Sequence, residues 1–372
     1  MSVFLFLKQI VDVLYLYHWM DYMMVIMVGV ALIYQILLVR PNVKKSITTS
    51  DILILLMVKL LSVSFLKDTN AYGVYVKVLS AFLMYFVGRI YYDRIKECTG
   101  ALVTSAYLVV YINFFYRIYR MGISGIFKVS NAGGDLYYYD TDMAFAMILA
   151  ICFIGMYGRN ILRKYITIFI VCPYMVFFSD AGIQKVLMIV VLFLMFLYLV
   201  EKITGKKCIT NSLLFISILG MLCLIAALML PAFWGDSSIG LDGFAKESLL
   251  NTENMYVRYE NWQSILNELK SADFVTKLFG VNLLIPAGSL YFKTLYSLGI
   301  VGILLLIAFI ASVIYYVIQI EDRKTFYVMV LLALMLLGTG ATVDSMEATQ
   351  MSWFPMMFAG MVISSVQNGR KA

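Results

Sequence analysis

Charged residues and proline are scarce in this 372-residue chain, which has only 5 prolines. Asp, Glu, Lys and Arg make up 14% of the residues, whereas soluble proteins average about 25%. Hydrophobic residues reach 62%, and the mean hydropathy is +0.88. This balance excludes an ordinary water-soluble protein and predicts an all-α polytopic membrane protein.

Histidine and cysteine are scarce as well. The chain has one histidine, His18, and its five cysteines form no CxxC pair. This pattern argues against a metal cluster or a disulfide framework. No Walker A, GxSxG, HExxH or GxGxxG motif in its strand context is present, which argues against a nucleotide-using enzyme. We predict no metal, no cofactor and no nucleic-acid partner.

Eleven apolar runs are long enough to cross a hydrocarbon core of about 30 Å as helices. They lie near residues 22–39, 52–67, 72–92, 101–116, 143–158, 165–179, 182–200, 213–230, 289–318, 325–343 and 351–366. A twelfth run, residues 3–17, contains Lys8 and Asp12 and either spans the membrane or lies at its surface. These runs predict an N-terminal transmembrane bundle (1–230), a long loop (231–288) and C-terminal transmembrane helices (289–372).

The net charge of +7 is unevenly distributed. Sixteen lysines and arginines lie in the short connections after the first, third, fifth, seventh, ninth and eleventh runs. Because such residues favour the cytoplasmic side, residues 117–142 and 231–288 are predicted to face outward. Loops longer than about 12–15 residues are usually functional or disordered.

Part of the long outer loop has a helical pattern. Its apolar residues recur at steps of four and three, which indicates one face of an amphipathic helix over residues 254–270: Met255, Tyr259, Trp262, Leu266 and Leu269. Thr252 is a suitable cap. A second short helix is predicted to begin at a Ser271 cap and to end at Gly280. The loop is therefore predicted to form a helical lid on the bundle.

Arg258, Glu260 and Trp262 form the first candidate site, on this loop helix. The arginine fork matches phosphate or carboxylate oxygens, and the indole face suits a sugar ring or lipid. The alternative is a solvated helix that its tryptophan holds at the membrane interface.

Arg117, Arg120 and Lys128 form the second candidate site, in the other outer segment. Lysine and arginine usually favour the cytoplasmic side, so positive charge on the predicted outer side needs an explanation. It indicates either an anionic ligand such as a lipid-linked pyrophosphate or contact with lipid headgroups.

Other ionisable residues lie at or near the outer ends of the spans. Asp180 and Lys185 flank a short outer turn, at positions that do not imply a direct pair. Asp344 is a possible carboxylate source in the last outer loop, where Glu347 accompanies it, although solvated loop residues are the simpler interpretation. Lys59 lies in mid-span, where it is predicted to face the bundle interior.

The order of these features resembles the Wzy-type polysaccharide polymerases and the related O-antigen ligases. The similarity is most specific over residues 258–302. There the family shows an arginine four residues before a tryptophan, a hydrophobic–Gly step and a Leu-Gly-Ile-x-Gly span. In this chain these are Arg258, Trp262, Leu278-Phe279-Gly280 and Leu298-Gly299-Ile300-Val301-Gly302. The outer turn departs from the family's Ser-Arg-Gly, because it reads Ser179-Asp180-Ala181.

A second departure concerns histidine. The ligases carry one eleven residues before the glycine that corresponds to Gly299, and Gly288 stands there in this chain. The resemblance therefore implies a polymerase rather than a ligase. It further implies a GT-C-like membrane glycosyltransferase of the bacterial cytoplasmic membrane, with its active site on the extracytoplasmic side.

The implied substrate is an undecaprenyl-pyrophosphate-linked oligosaccharide repeat unit of an O-antigen or capsule. A chain-length regulator and a flippase in the same membrane are the implied partners. Arg258, followed by Arg117 and Arg120, would stabilise the departing pyrophosphate. Glu260, Asp180 or Asp344 would accept the hydroxyl proton. Lys128, Lys185 and Trp262 complete the predicted substrate-binding set. Two alternatives stay open: a flippase or secondary transporter of the same lipid-linked sugars, and a ligase that works without the histidine.

Overall fold

The structure is a computed structural model that describes residues 2–13, 18–39, 47–125, 127, 140–179, 181–205, 207–234, 252–283, 285 and 287–369. Within these ranges the chain is all α-helical and contains no strand. Lys128 and Asp180, two predicted site residues, lie outside the described residues.

The helices follow the predicted apolar runs closely. They are α1 (Ser2–Val13), α2 (His18–Val39), α3 (Thr49–Lys67), α4 (Tyr72–Ile90), α5 (Tyr92–Glu97), α6 (Thr99–Gly125), α7 (Asp140–Tyr157), α8 (Ile161–Ile166), α9 (Cys172–Phe177), α10 (Gly182–Thr204), α11 (Lys207–Trp234), α12 (Thr252–Ser271), α13 (Phe274–Phe279), α14 (Leu290–Ile318), α15 (Arg323–Thr339) and α16 (Thr349–Gly369). A π-helical segment, Thr167–Val171, joins α8 to α9.

Five described helices are long and apolar enough to cross a membrane: Thr49–Lys67, Thr69–Ile90, Thr99–Gly122, Gly182–Thr204 and Leu290–Ile318. They suggest a multi-pass membrane protein. The first helix, α1, has 12 residues. At a rise of 1.5 Å per residue it is about 18 Å long, which is shorter than a bilayer core.

The closest packing in the bundle is between α4 and α16. A Cβ atom at Gly88 would lie 1.8 Å from the carbonyl oxygen of Met357, and one at Gly360 would lie 2.0 Å from that of Tyr85. Small residues allow helix backbones to approach in this way. The indole Nε1 of Trp353 also donates to Ser80 Oγ across this contact, at 2.8 Å.

Buried ion pairs fasten one end of the bundle, here called the far end. Arg89 binds both carboxylate oxygens of Asp51, at 2.9 Å and 2.8 Å, which ties α4 to α3. Arg323 binds Glu201 in the same forked manner, at 2.6 Å and 2.7 Å, which ties α15 to α10. The predicted cytoplasmic connections of these helices therefore meet at a common end.

The opposite end, here called the loop end, carries α12 and α13. The predicted helix over residues 254–270 is confirmed, since it lies within α12. The predicted end of the second short helix at Gly280 is confirmed too, but the predicted Ser271 cap is wrong. Asp273 caps α13, because its carboxylate accepts from the backbone N–H groups of Val275 and Thr276. Ser271 Oγ instead donates back to Glu268 O.

Candidate active site at the loop end

Ile285 and residues 287–289, which precede α14, contact both the loop helix and α14 at the loop end. Arg258 Nη1 donates to Gly288 O at 3.0 Å, and Trp262 Nε1 donates to Ala287 O at 2.7 Å. From the α14 side, Lys293 Nζ donates to Ile285 O at 2.8 Å. These hydrogen bonds therefore connect the loop helix with the start of α14.

Arg258 is half-buried in this contact. Burial lowers the pKa of its guanidinium, which nevertheless stays charged. Gly288 has a left-handed φ of 57°, and a Cβ atom there would lie 3.4 Å from Arg258 Nη1. The arginine thus packs against the position where the resemblance places the ligase histidine.

Trp262 is fully buried rather than presented to a ligand. Its ring stacks on Phe292, with 4.8 Å between centroids, and meets Tyr259 edge-on at 5.3 Å. Glu260, two residues from both Arg258 and Trp262, is exposed. Of the predicted constellation, two members therefore face the bundle and one faces away. The buried ring packs on α14 of the protein itself, whereas the alternative predicted a tryptophan at the membrane interface.

The two glycines of the family-like motif meet in space. Gly280 ends α13 at φ 80° and ψ 171°, and Gly299 interrupts α14 at φ 69° and ψ −167°. A Cβ atom at Gly299 would lie 2.2 Å from Leu278 O and 2.6 Å from Gly280 N. Side chains of larger residues would not fit, so the glycines permit α13 to dock on α14.

The end of α3 strengthens this docking. Lys67 Nζ donates to Gly280 O at 2.6 Å, and Ser64 Oγ donates to Ser297 O at 2.7 Å. Both carbonyls belong to the backbone that the glycines bring together. The lid, by which we mean α12 and α13, therefore contacts both α3 and α14 through the end of α13.

Lys293, which donates to Ile285 O, also lies near two carboxylates. Lys293 Nζ is 4.0 Å from Asp344 Oδ2 and 3.9 Å from Glu347 Oε2. The loop that carries both acids is fixed to α14, because Leu290 N donates to Gly340 O and Val343 O at 2.8 Å and 3.1 Å. Burial raises the pKa of Asp344 to about 7; Lys293 opposes the rise and Glu347 adds to it.

Sequence reasoning did not connect Lys293 with these acids. Asp344 lies 51 residues further along the chain, and no local pattern links the two positions. The sequence offered only a weak indication of this contact. Lys293 lies near the start of a predicted span, and Asp344 and Glu347 lie in a loop that is predicted to be on the same side of the membrane.

A cavity of about 40 Å³ adjoins this group, between α3, α4 and α14. Its polar lining comes from Lys293, Thr294, Ser297 and Asp344, and its walls are mainly apolar. The Ser297 hydroxyl is buried and has no hydrogen-bond partner among the described residues. A cavity of this size is large enough for a water molecule or a ligand hydroxyl group.

Arg117 lies at another part of the loop end. It is 1% exposed, donates from Nη2 to Phe178 O at 2.7 Å and lies over the ring of Tyr174, 5.5 Å from its centroid. The structure therefore brings Arg117 to the turn that follows α9. Arg120 is exposed.

The outer ends of α10 and α14 converge on the end of α15. A Cβ atom at Gly338 would lie 2.7 Å from Leu187 of α10, and one at Gly340 would lie 3.0 Å from Leu290 of α14. The half-buried Lys185 lies near the start of α10. The arginine at the α9 turn and the start of α14 are thus on the same side of the molecule.

The prediction that Lys59 faces the bundle interior is wrong. The buried face of α3 includes Ile54, Met57, Leu61 and Ser64, at steps of three or four residues. Lys59 is two residues after Met57 and therefore points to the other side of the helix, where it is exposed.

Among the described residues, no group of three or more His, Cys, Asp or Glu side chains is arranged to hold a metal ion. Cys98, Cys152, Cys172 and Cys223 are free. Comparisons with known proteins add no assignment: no family model, no curated protein and no solved structure matches the chain.

Proposed function

We propose that this protein is a membrane glycosyltransferase that polymerises undecaprenyl-pyrophosphate-linked oligosaccharide repeat units into a surface polysaccharide. The observation that carries the proposal is the arrangement around Ile285 and Gly288. An arginine from the loop helix donates to Gly288 O, and a lysine with two carboxylates near it donates to Ile285 O. Phosphate stabilisation and proton transfer, the two requirements of the reaction, have suitable groups there.

The proposal includes a topology of eleven or twelve spans with a GT-C-like arrangement. The loop end faces the extracytoplasmic side of a bacterial cytoplasmic membrane, and the far end faces the cytoplasm. What supports this orientation is the excess of lysine and arginine in the far-end connections.

In the proposed reaction, a hydroxyl group of one lipid-linked repeat unit attacks the anomeric carbon of the growing glycan. The bond from that carbon to the pyrophosphate oxygen breaks, and the electron pair leaves with the pyrophosphate. Arg258 would stabilise the negative charge that develops there. Preorganised electrostatic stabilisation of this kind usually contributes more to enzymatic rate acceleration than any other effect. Arg117 and Arg120 would bind the pyrophosphate of the lipid carrier.

A transporter of the same lipid-linked sugars is the second candidate, and one observation favours it. Lys8 and Asp12 form a buried ion pair in α1. Asp12 also lines a small cavity with Gln9, Asp142 and Gln350. Buried ionisable groups at membrane depth are typical of transport pathways.

Reconstitution tests the proposal directly. The purified protein is incubated in liposomes with the lipid-linked repeat units of its source strain. A ladder of longer lipid-linked chains supports the polymerase, glycan on a different acceptor supports a ligase, and translocation without bond formation supports the transporter.

Two variants link the reaction to the site. Arg258→Ala should remove the ladder while the protein remains folded, and Arg258→Lys should restore little of it because lysine lacks the forked donors. Arg159→Ala is the matched control, since Arg159 is exposed in the turn before α8. A full ladder from Arg258→Ala would contradict the role given to Arg258.

A further inference from the structure

The ammonium group of Lys293 lies near two carboxylates, but its short hydrogen bond is to a backbone carbonyl group. Its distances to Asp344 and Glu347 are 4.0 Å and 3.9 Å, which are longer than the 2.7–2.9 Å of a direct charge-assisted hydrogen bond. The ammonium group donates instead to Ile285 O at 2.8 Å. Lys293 therefore supplies positive charge to the acids without occupying their oxygens at close range.

Asp344 and Glu347 both lie near the Lys293 ammonium group, and all three side chains have little exposure to water. The side chains of Lys293, Asp344 and Glu347 are 10%, 16% and 29% exposed. One cation offsets one carboxylate, so a second negative charge would be left with little water around it. A neighbouring like charge disfavours ionisation, and the charge of Glu347 contributes, after burial, to the raised pKa of Asp344.

The two acids have different surroundings. Asp344 lines the cavity that it shares with Lys293 and Ser297. Glu347 is the most exposed of the three side chains and faces outward from the same loop. A hydroxyl group that enters the cavity would find the Ser297 hydroxyl as a partner and a carboxylate oxygen beside it.

We propose that Asp344 and Glu347 are the proton acceptor of the glycosyl transfer, with Lys293 as their positioning residue. This inference rests on the proposed function. The O–H bond of the attacking hydroxyl breaks, its proton moves to the carboxyl pair, and its oxygen bonds to the anomeric carbon. The pyrophosphate leaves with the electron pair of the broken C–O bond. The pair then loses the proton to water at the loop end.

The other base candidate within the described residues is less suitable. Glu260 is exposed on α12, and it does not line the cavity that Asp344 shares with Lys293. The charged groups that act on Asp344 are Lys293 of α14 and Glu347 of its own loop. The cavity walls from α3 and α4 are apolar, and they include Met57, Leu61 and Phe82.

The pH dependence of the ladder reaction tests the inference. The rate of the wild-type protein should rise as the pH passes through about 7 and then level off, because the base must be deprotonated. Asp344→Asn should lower kcat by about 10²–10⁴-fold and leave KM nearly unchanged. Asp344→Glu should restore part of the rate, and Glu347→Gln should shift the midpoint of the profile.

Glu321→Gln is the matched control, since Glu321 is an exposed acid between α14 and α15 at the far end. A wild-type rate and pH profile in Asp344→Asn would overturn the inference while leaving the polymerase intact. A wild-type protein that forms no ladder would overturn the proposed function, and the inference with it.

An infrared titration gives a readout that does not require activity. The protonated carboxyl band of the wild-type protein should disappear near neutral pH, and this step should be missing in folded Asp344→Asn. If Asp344→Asn fails to fold, Glu347→Gln and the wild-type titration decide the question. A wild-type protein without a carboxyl step near neutral pH would contradict the raised pKa of Asp344.

Discussion

Replacing Gly299 with alanine should release the lid from the bundle. The backbone of Gly299 lies at φ 69° and ψ −167°, a region essentially restricted to glycine, which costs other residues about 1–3 kcal/mol. The new Cβ atom would also lie 2.2 Å from Leu278 O and 2.6 Å from Gly280 N. These neighbours are backbone atoms, so α13 itself must move away. We expect a loss of about 3 kcal/mol in the docking of α13, which raises the undocked population by about 10²-fold.

Limited trypsin digestion measures this opening. Lys277 lies within α13 and is half-buried, so cleavage after it requires α13 to leave its docked position. Cleavage there should follow the undocked population when opening and closing are fast, and it should accelerate by about the same 10²-fold. Gly220→Ala is the control, because no atom lies within 4 Å of a Cβ atom at that helical position. Equal cleavage of Gly299→Ala and the wild-type protein would refute the docking argument.

Three further predictions concern single contacts. Trp262→Phe should leave Ala287 O without its donor and destabilise the lid by about 1–3 kcal/mol; unchanged trypsin protection at Lys277 would contradict this. Arg89→Met should destabilise the far end by about 3–5 kcal/mol, because the carboxylate of Asp51 stays buried without its cation. The double variant Asp51→Leu, Arg89→Met should lose less stability, since no buried charge remains. A double-mutant cycle by thermal unfolding measures the coupling between the two residues, and purely additive losses of stability would contradict it. Asp344→Asn should raise thermal stability more at pH 8 than at pH 5. In the wild-type protein the Asp344 carboxyl loses its proton near pH 4 when the chain is unfolded and near pH 7 when it is folded. Wild-type stability therefore falls as the pH rises between these two values, and the asparagine variant avoids this loss. An equal gain at both pH values would show that Asp344 does not retain a proton.

The loop helix was predictable from its sequence because its information is local. A helical face repeats every three or four residues, and Tyr259, Trp262 and Leu269 are indeed buried on one face. The glycine after the second helix was predictable for the same reason. The cap of that helix was not, since Ser271 and Asp273 both suit the position and only the actual end of α12 decides between them.

The contacts that build the candidate site depend on residues far apart in the chain. Arg258 meets Gly288 across 30 residues, and Lys67 meets Gly280 across 213. Periodicity fixes which face a residue occupies but not which face of another helix it meets. For this reason the resemblance could point to Gly280 and Gly299, while their direct contact required the folded chain.

Under the proposed function, the contact between Arg258 and Gly288 has a consequence for the timing of the reaction cycle. The carboxylates and Lys293 are fixed to the bundle through α14 and the loop after α15, whereas Arg258 belongs to the lid. Lifting the lid would carry the arginine away and leave the acids in place. Under the proposed function, the site is assembled only when the lid is down. A long glycan could therefore slide or exchange while the lid is up, and bond formation would wait until the lid closes again.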